Sequence, residues 1–304
     1  MKIPIIVSNT LPEITKKYYS KVLLIGEYTV TAGYSALAVP YMGYGGQWMY
    51  GTNVEAKHIH GLKHLLQYIE SEKLLRSVYN TDNFRDDLDK GLFFDSDIPE
   101  GYGLGSSGAL VAAFYDRFAI SKSKNIKELK NILAQTESAF HGSSSGIDPT
   151  VSYLNSAIKM DDGHIISTMK LNIADFGFHL LDTGRERKTA PLVRIFKDKM
   201  DKDPDFKVNI DLLGKANQNA IFHLIHHDMS ALTKDIKVIS ALEFKHFREM
   251  IPEDVIHLWE DGLKSDDYYI KLCGAGGGGM MLCYFPSDAP NSNMLKDYNL
   301  KKVL

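Results

Sequence analysis

Pro99-Glu100-Gly101-Tyr102-Gly103-Leu104-Gly105-Ser106-Ser107-Gly108-Ala109-Leu110 is the stretch on which the reading of this chain turns. Ahead of it, Gly91-Leu92-Phe93-Phe94 is a short apolar run that predicts a strand. Behind it, Ala109-Leu110-Val111-Ala112-Ala113-Phe114 predicts a helix. Gly101, Gly103 and Gly105 alternate with other residues, Gly108 follows, and the hydroxyls of Ser106 and Ser107 arrive where the helix begins. Glycines permit a tight turn and keep side chains out of the way of a ligand. The helix start adds unpaired N–H groups and the positive end of the macrodipole. Together these make a seat for an anion, most simply a phosphate. Taken alone, the stretch reads equally well as a glycine turn capped by one of the serines.

Two familiar loops fit it poorly. Gly103-x-Gly105-x-x-Gly108 has dinucleotide spacing, but the acid expected roughly 20 residues on is missing from Ser121-Lys122-Ser123-Lys124-Asn125. A Walker A loop ends in Gly-Lys-Ser/Thr, and no lysine stands here.

The composition sets the outer limits. The chain has 304 residues, 44% hydrophobic and 24% charged, which suits a globular protein of one large or two medium domains. A formal net charge of -3 gives no reason to expect nucleic acid or an anionic membrane surface. Cys273 and Cys283 cannot build a disulfide framework and suit a reducing cytosol. The N-terminus turns polar too soon for a signal peptide, and no apolar run approaches the ~20 residues of a membrane span. A soluble, cytoplasmic protein is expected.

Outward from the central loop, Lys21-Val22-Leu23-Leu24-Ile25 predicts a buried strand opened by a lysine and followed closely by Glu27. Both charges also read as solvated strand ends. Residues 57–76 predict an amphipathic helix on Leu62, Leu65, Leu66 and Ile69. Its His58, His60 and His64 read as a solvated face rather than a metal site, since positions two apart diverge on a helix. Residues 80–90, polar and acidic, read as a connection. Asn125 to Phe140 predicts a helix on Ile126, Leu129 and Leu133, and extending that face reaches Glu137. An inward carboxylate is costly unless paired or bound to a cation. A small-residue loop follows, His141-Gly142-Ser143-Ser144-Ser145-Gly146-Ile147-Asp148-Pro149, and its proline is expected to keep Asp148 out of helical geometry as a fixed, presented acid or a turn aspartate. From about residue 155 the pattern changes to a strand over 176–181, long helical segments near 190–201, 210–226, 229–247 and 253–263, and strands at 267–272 and 280–285. Between these last two runs lies Gly274-Ala275-Gly276-Gly277-Gly278-Gly279, which core packing does not explain. The tail, 286–304, reads as an edge strand or a loose end.

Lys21 to Pro40, Pro99 to Leu110 and Gly274 to Gly279 follow one another as the three motifs of the GHMP kinases do, and over nearly its whole length the chain resembles that superfamily of galactokinase, homoserine kinase, mevalonate kinase and phosphomevalonate kinase. Lys21-Val22-Leu23-Leu24-Ile25-Gly26-Glu27-Tyr28 and His141-Gly142-x-x-Ser145-Gly146-Ile147-Asp148 resemble the mevalonate branch, as does the spacing from Glu137 to Asp148. Tyr28 stands where a histidine is common, Pro149 where asparagine is usual, and Asn155-Ser156 where Gly-Gly is usual. Glu27-Tyr28 with Tyr102-Gly103-Leu104-Gly105-Ser106-Ser107 leans to phosphomevalonate kinase.

The resemblance implies an α+β fold in two domains, 1–160 similar to ribosomal protein S5 domain 2 and 161–304 ferredoxin-like. It implies transfer of the γ-phosphoryl of ATP to a small-molecule alcohol, mevalonate first, phosphomevalonate or a sugar next, with a non-catalytic metabolite-binding relative as the other reading. Gly101, Gly103, Leu104, Gly105, Ser106, Ser107 and Gly108 would cradle the nucleotide. Ser107, or Ser106, and Glu137 would hold Mg²⁺. Asp148 would take the acceptor proton beside Lys21. Glu27, Tyr28, His141, Ser145, Thr183, Arg185, Lys188, Gly276 and Gly277 would meet the acceptor. No nucleic acid or membrane partner is expected, and the resemblance leaves room for a homodimer.

Overall fold

The computed structural model describes residues 16–52, 56–162, 165–287 and 293–303. Its fold is α+β, with strands and helices segregated as the pattern change near residue 155 suggests. Five strands form one sheet: β1 (Tyr18–Ile25), β2 (Ala36–Tyr50), β3 (Leu92–Ser96), β4 (Ala157–Asp161) and β5 (Ile165–Met169). They run in the order β1-β2-β4-β5, with β3 also paired to β2. The long β2 is antiparallel to β4 over Ala36–Ala38 and to β3 over Gly46–Tyr50. A second sheet holds β6 (Phe178–Asp182), β7 (Tyr269–Lys271), β8 (Met280–Tyr284) and β9 (Leu300–Lys302) in the order β7-β8-β6-β9. That is the strand order of a ferredoxin-like split β-α-β arrangement. β8 is buried at every position, as its unbroken run Met280-Met281-Leu282-Cys283-Tyr284 demands of a central strand.

Contacts divide the chain into two compact units, each gathered from separated stretches. The first takes residues up to Lys21, then Tyr44–Ile98 and Gly105–Asn155. Its helices are α1 (Ala56–Ser71), α2 (Lys73–Val78), α3 (Thr81–Asp89), α4 (Ser106–Phe118), α5 (Ile126–His141) and α6 (Ile147–Leu154). α4 is apolar nearly all round and is the central helix, burying Val111, Ala112, Ala113, Phe114, Tyr115 and Phe118. Trp48 closes on it, donating Nε1–H to the Ala113 carbonyl at 3.1 Å.

Three expectations change here. The helix expected over 57–76 is broken at the extended Glu72 into α1 and α2. The acidic connection at 80–90 is helix α3: the Asn80 side chain caps it by accepting the Asn83 N–H, and Phe84 anchors it against Phe114 and Phe118. Asp148 lies inside the first turn of α6, not outside it. Pro149 sits in that same turn, where its missing N–H costs no hydrogen bond.

The second unit takes Val22–Gly43, Pro99–Leu104 and Ser156–Leu304. Its helices are α7 (Thr189–Lys202), α8 (Pro204–Ile225), α9 (Met229–His246) and α10 (Glu253–Ser265). Tyr28, Phe196, Phe206 and Phe247 form an aromatic cluster, and fully buried Trp259 donates Nε1–H to the Ser240 hydroxyl at 2.8 Å. The tail contributes an edge strand, β9 on β6. Among the described residues no helix is long and apolar enough to cross a membrane.

Candidate functional site

In the first unit the glycine stretch from Gly105 onward ends in an open helix start. Gly105, in the left-handed conformation at φ 74, is the residue before α4, and no side chain caps that end. Ser106 and Ser107 are therefore not used as caps, which leaves the N–H groups of the helix start to an anion. Ser107 is engaged elsewhere: its hydroxyl donates to Glu137 Oε1 at 2.9 Å and is hydrogen-bonded to His141 Nε2 at 3.0 Å.

Lys21 and Asp148 meet directly beneath this helix start. Lys21 Nζ lies 3.1 Å from Asp148 Oδ1, the lysine side chain 9% exposed and the aspartate 31%. The two glycines give them room. A Cβ on Gly105 would fall 3.1 Å from Lys21 Cγ and 3.3 Å from Asp148 Oδ2. On Gly108 it would fall 2.8 Å from the Asp148 backbone carbon, so the α4 helix start packs closely on α6 only because position 108 has no side chain. Asp148 thus stands in the first turn of one helix, a favourable place for a negative charge. It remains accessible to a ligand.

Glu137 is 4% exposed on the inner face of α5, where the heptad-like pattern put it. It accepts from Ser107 and from the Ser144 hydroxyl. Burial pushes its carboxyl up to about 7, Asp148 adds to the rise, and the two serine hydrogen bonds and Lys21 oppose it. Among the described residues no cation forms an ion pair with it. A buried carboxylate flanked by hydroxyl oxygens and lacking a paired cation is the donor chemistry that a hard divalent ion takes, Mg²⁺ keeping waters for its remaining positions. Ser145 accepts the Ile147 N–H and shapes the turn into α6. His60 and His64 are exposed, as a solvated face requires.

The second unit holds Gly101, Gly103, Leu104, Glu27, Tyr28, Thr183, Arg185, Gly276 and Gly277. Neither Glu27 nor Lys21 is a solvated strand end. Glu27 is 1% exposed, with Lys271 Nζ 2.7 Å from its Oε2, and Lys271 is fully buried. The contact is an ion pair without a hydrogen-bond alignment at Oε2, and Nζ donates to the Leu272 carbonyl instead. Glu243 on α9, also 1% exposed, accepts the Leu272 N–H at 2.7 Å. Burial pushes Glu243 up to about 8, Lys271 opposing and Glu27 adding to the rise. Lys271 and Glu243 were missed in the sequence.

The remaining contacts in this unit order the loop at 274–279. The Tyr28 hydroxyl donates to the Ala275 carbonyl at 2.8 Å. Burial raises the Tyr28 phenol and the nearby Arg187 charge opposes that. Thr183 donates to the Gly279 carbonyl through both its N–H and its hydroxyl, and the Gly279 N–H donates to the Arg185 carbonyl. The Arg185 guanidinium is turned to Asp254 at 3.1 Å. Gly276 and Gly277 are met by protein: the Gly277 N–H donates to the Met250 carbonyl, and side chains at 276 and 277 would strike Met250 and Leu192. Close packing therefore accounts for part of a run that core packing was not expected to explain.

Residues 67–156 match the family described as GHMP kinases N terminal domain. Mevalonate kinase of Pyrococcus furiosus is 29% identical over 215 residues, 63% of this chain, and the match spans only 58% of that enzyme's length. Mevalonate kinase of Thermococcus onnurineus is 25% identical over 88% of this chain and 87% of its own. Among solved structures, mevalonate kinase from methicillin-resistant Staphylococcus aureus shares the fold with a TM-score of 0.60 at 22% identity, covering 89% of both chains. Streptococcus pneumoniae phosphomevalonate kinase, in complex with phosphomevalonate and AMPPNP, shares it with a TM-score of 0.63 at 14% identity over 90% of this chain and 92% of that one. The glycine loop feeding an uncapped helix lies within the match at 67–156, so the chain is similar to the GHMP kinases over that segment and, at 25% identity over 88% of its length, to a mevalonate kinase.

Proposed function

We propose that this protein transfers the γ-phosphoryl group of ATP to the hydroxyl of a small alcohol, with mevalonate the leading acceptor. The Lys21–Asp148 pair at 3.1 Å, set against Gly105 and Gly108 at the uncapped start of α4, carries the reading. It supplies the three things that phosphoryl transfer asks of a protein: a phosphate seat, a proton acceptor and a cation. The glycine stretch and the α4 N–H groups bind the phosphates. Asp148 orients the acceptor hydroxyl and takes its proton as the new bond forms. Lys21, paired with that carboxylate at 3.1 Å, stabilises charge on the transferring group. Ser107 and Glu137 are the residues that would hold Mg²⁺, which, when bound, neutralises the phosphate oxygens. His141, hydrogen-bonded to Ser107, and Ser145 border the same loop. Glu27, Tyr28, Gly276 and Gly277, held by protein contacts within the second unit, are not assigned to the acceptor.

Phosphomevalonate is the second reading, favoured by Glu27-Tyr28 in place of Glu-His and by the Tyr102 to Ser107 run. The test is a coupled ADP-release assay with Mg-ATP against mevalonate, phosphomevalonate, galactose and homoserine. Turnover on mevalonate alone supports the leading reading, and turnover on phosphomevalonate alone replaces it. Tight ATP binding with no alcohol-dependent turnover would refute the enzymatic reading in favour of a nucleotide-binding relative.

A further inference from the structure

We propose that Arg187 is an anion-binding residue, seated between Gly103 and Gly274 and taking a phosphate oxygen. The inference rests on the kinase reading for its ligand class, and its geometry lies wholly within the second unit. Arg187 is in the irregular segment between β6 and α7, where no periodicity marks it. Its backbone N–H donates to the Gly101 carbonyl at 3.2 Å, and its Nη1 donates to the Cys273 carbonyl at 2.7 Å. It therefore ties the first limb of the glycine stretch to the turn that enters the second glycine loop.

The guanidinium occupies the volume that side chains at two other positions would need. A Cβ on Gly103 would lie 2.3 Å from Nη2, and one on Gly274 would lie 2.7 Å from Nη1. Two glycines of two different motifs, far apart in sequence, thus make room for one cation. Its neighbour Arg185 has a carboxylate partner in Asp254, whereas among the described residues Arg187 has none. A half-buried cation without a counter-charge is costly, and the cost falls when an anion arrives. The planar fork of a guanidinium matches phosphate oxygens with two parallel hydrogen bonds. Among the described residues one carbonyl engages the fork, which leaves donors for a ligand.

The phosphate has two sources, the triphosphate of the nucleotide or a phosphate already on the acceptor. Calorimetry with inorganic tripolyphosphate, and KM values for ATP and phosphomevalonate, separate them in wild type, Arg187→Gln and Arg187→Lys. Thermal melts verify that each variant is folded. Loss of a charge-assisted pair should weaken the anion by about tenfold or more in Arg187→Gln, with part of the affinity restored in Arg187→Lys. A weaker tripolyphosphate Kd and raised ATP KM assign the nucleotide. A raised phosphomevalonate KM with tripolyphosphate binding unchanged assigns the acceptor. Unchanged constants in Arg187→Gln, or equal loss in both variants, overturn the proposal and leave Arg187 as a tie between loops. Tripolyphosphate binding needs no turnover, so the anion site is judged separately from the kinase reading, which ADP release tests.

Discussion

Lys271→Met removes the positive charge from a pocket in which Glu27 and Glu243 are each 1% exposed and the lysine is not exposed at all. Methionine refills most of the stem's volume with a flexible apolar chain, so the change is chiefly electrostatic. It leaves Glu27 without the cation 2.7 Å away and the Leu272 carbonyl without its Nζ donor. Removing one partner of a buried pair costs about 3–5 kcal/mol, because the other charge stays buried and uncompensated. With a urea m-value of about 2 kcal/mol/M, the unfolding midpoint should drop by about 1.5–2.5 M. Trp259 is buried in the same unit, on α10 against Ser240, so its fluorescence reports the transition concerned. Glu27→Gln should be costly for the same reason. The double variant should cost less than the sum of the two singles by about 2 kcal/mol, since no orphaned ion pair partner remains at 27 or 271. Additivity of the two costs to within about 0.5 kcal/mol would refute the claim that the pair acts as one energetic unit.

The same pocket predicts a pH dependence. Burial raises Glu243 from 4.5 to about 8, so over that interval the folded chain holds a proton that the unfolded chain releases. Its contribution to stability is complete below the lower value and falls as pH rises toward the upper one. The Trp259 transition should therefore weaken from about pH 5 to about pH 8, and Glu243→Gln should flatten that slope; an unchanged slope assigns it to other groups. Asp148→Asn should lower kcat by about 10²–10⁴ while ATP affinity stays nearly constant, because the acid acts on the acceptor. Comparable kcat would remove Asp148 from the proton-transfer role. Glu137→Gln should move the Mg²⁺ titration of activity to higher concentration, whereas an unmoved midpoint would place the metal on other ligands.

What could be read in advance depended on how locally each feature is encoded. Glu137 was legible because Leu129, Leu133 and Glu137 fall on one helical face, and its burial follows from that spacing. Strand β3 ahead of the first glycine loop and β8 behind the second are legible as short apolar runs. Helix α3 was not, since its packing rests on the single Phe84, and its start on a short-range cap at Asn80 that composition hides. The Asp148-Pro149 pair predicts a break in the helix, yet proline fits the first turn of α6 and Asp148 lies within it. Arg187 gave no signal at all: its role comes from two glycines that the fold brings to it.

Lys271 and Glu243 were different, because the signal was present. α9 buries Leu232, Ile236 and Ile239, and the next residue on that face is Glu243, by the same reasoning that found Glu137. Lys271 stands inside Tyr268-Tyr269-Ile270-Lys271-Leu272, a run that is buried throughout. A chain does not bury a lysine in such a strand without a carboxylate to meet it. The inward acid of α9 and the glutamate following the first strand are therefore what that lysine requires. The pairing of charges across distant segments can thus be sought as a constraint: each cation inside an apolar run calls for an acid on an otherwise apolar face. Here that requirement links β7, α9 and the Gly26-Glu27-Tyr28 turn, and it fixes Glu27 in the interior of the second unit.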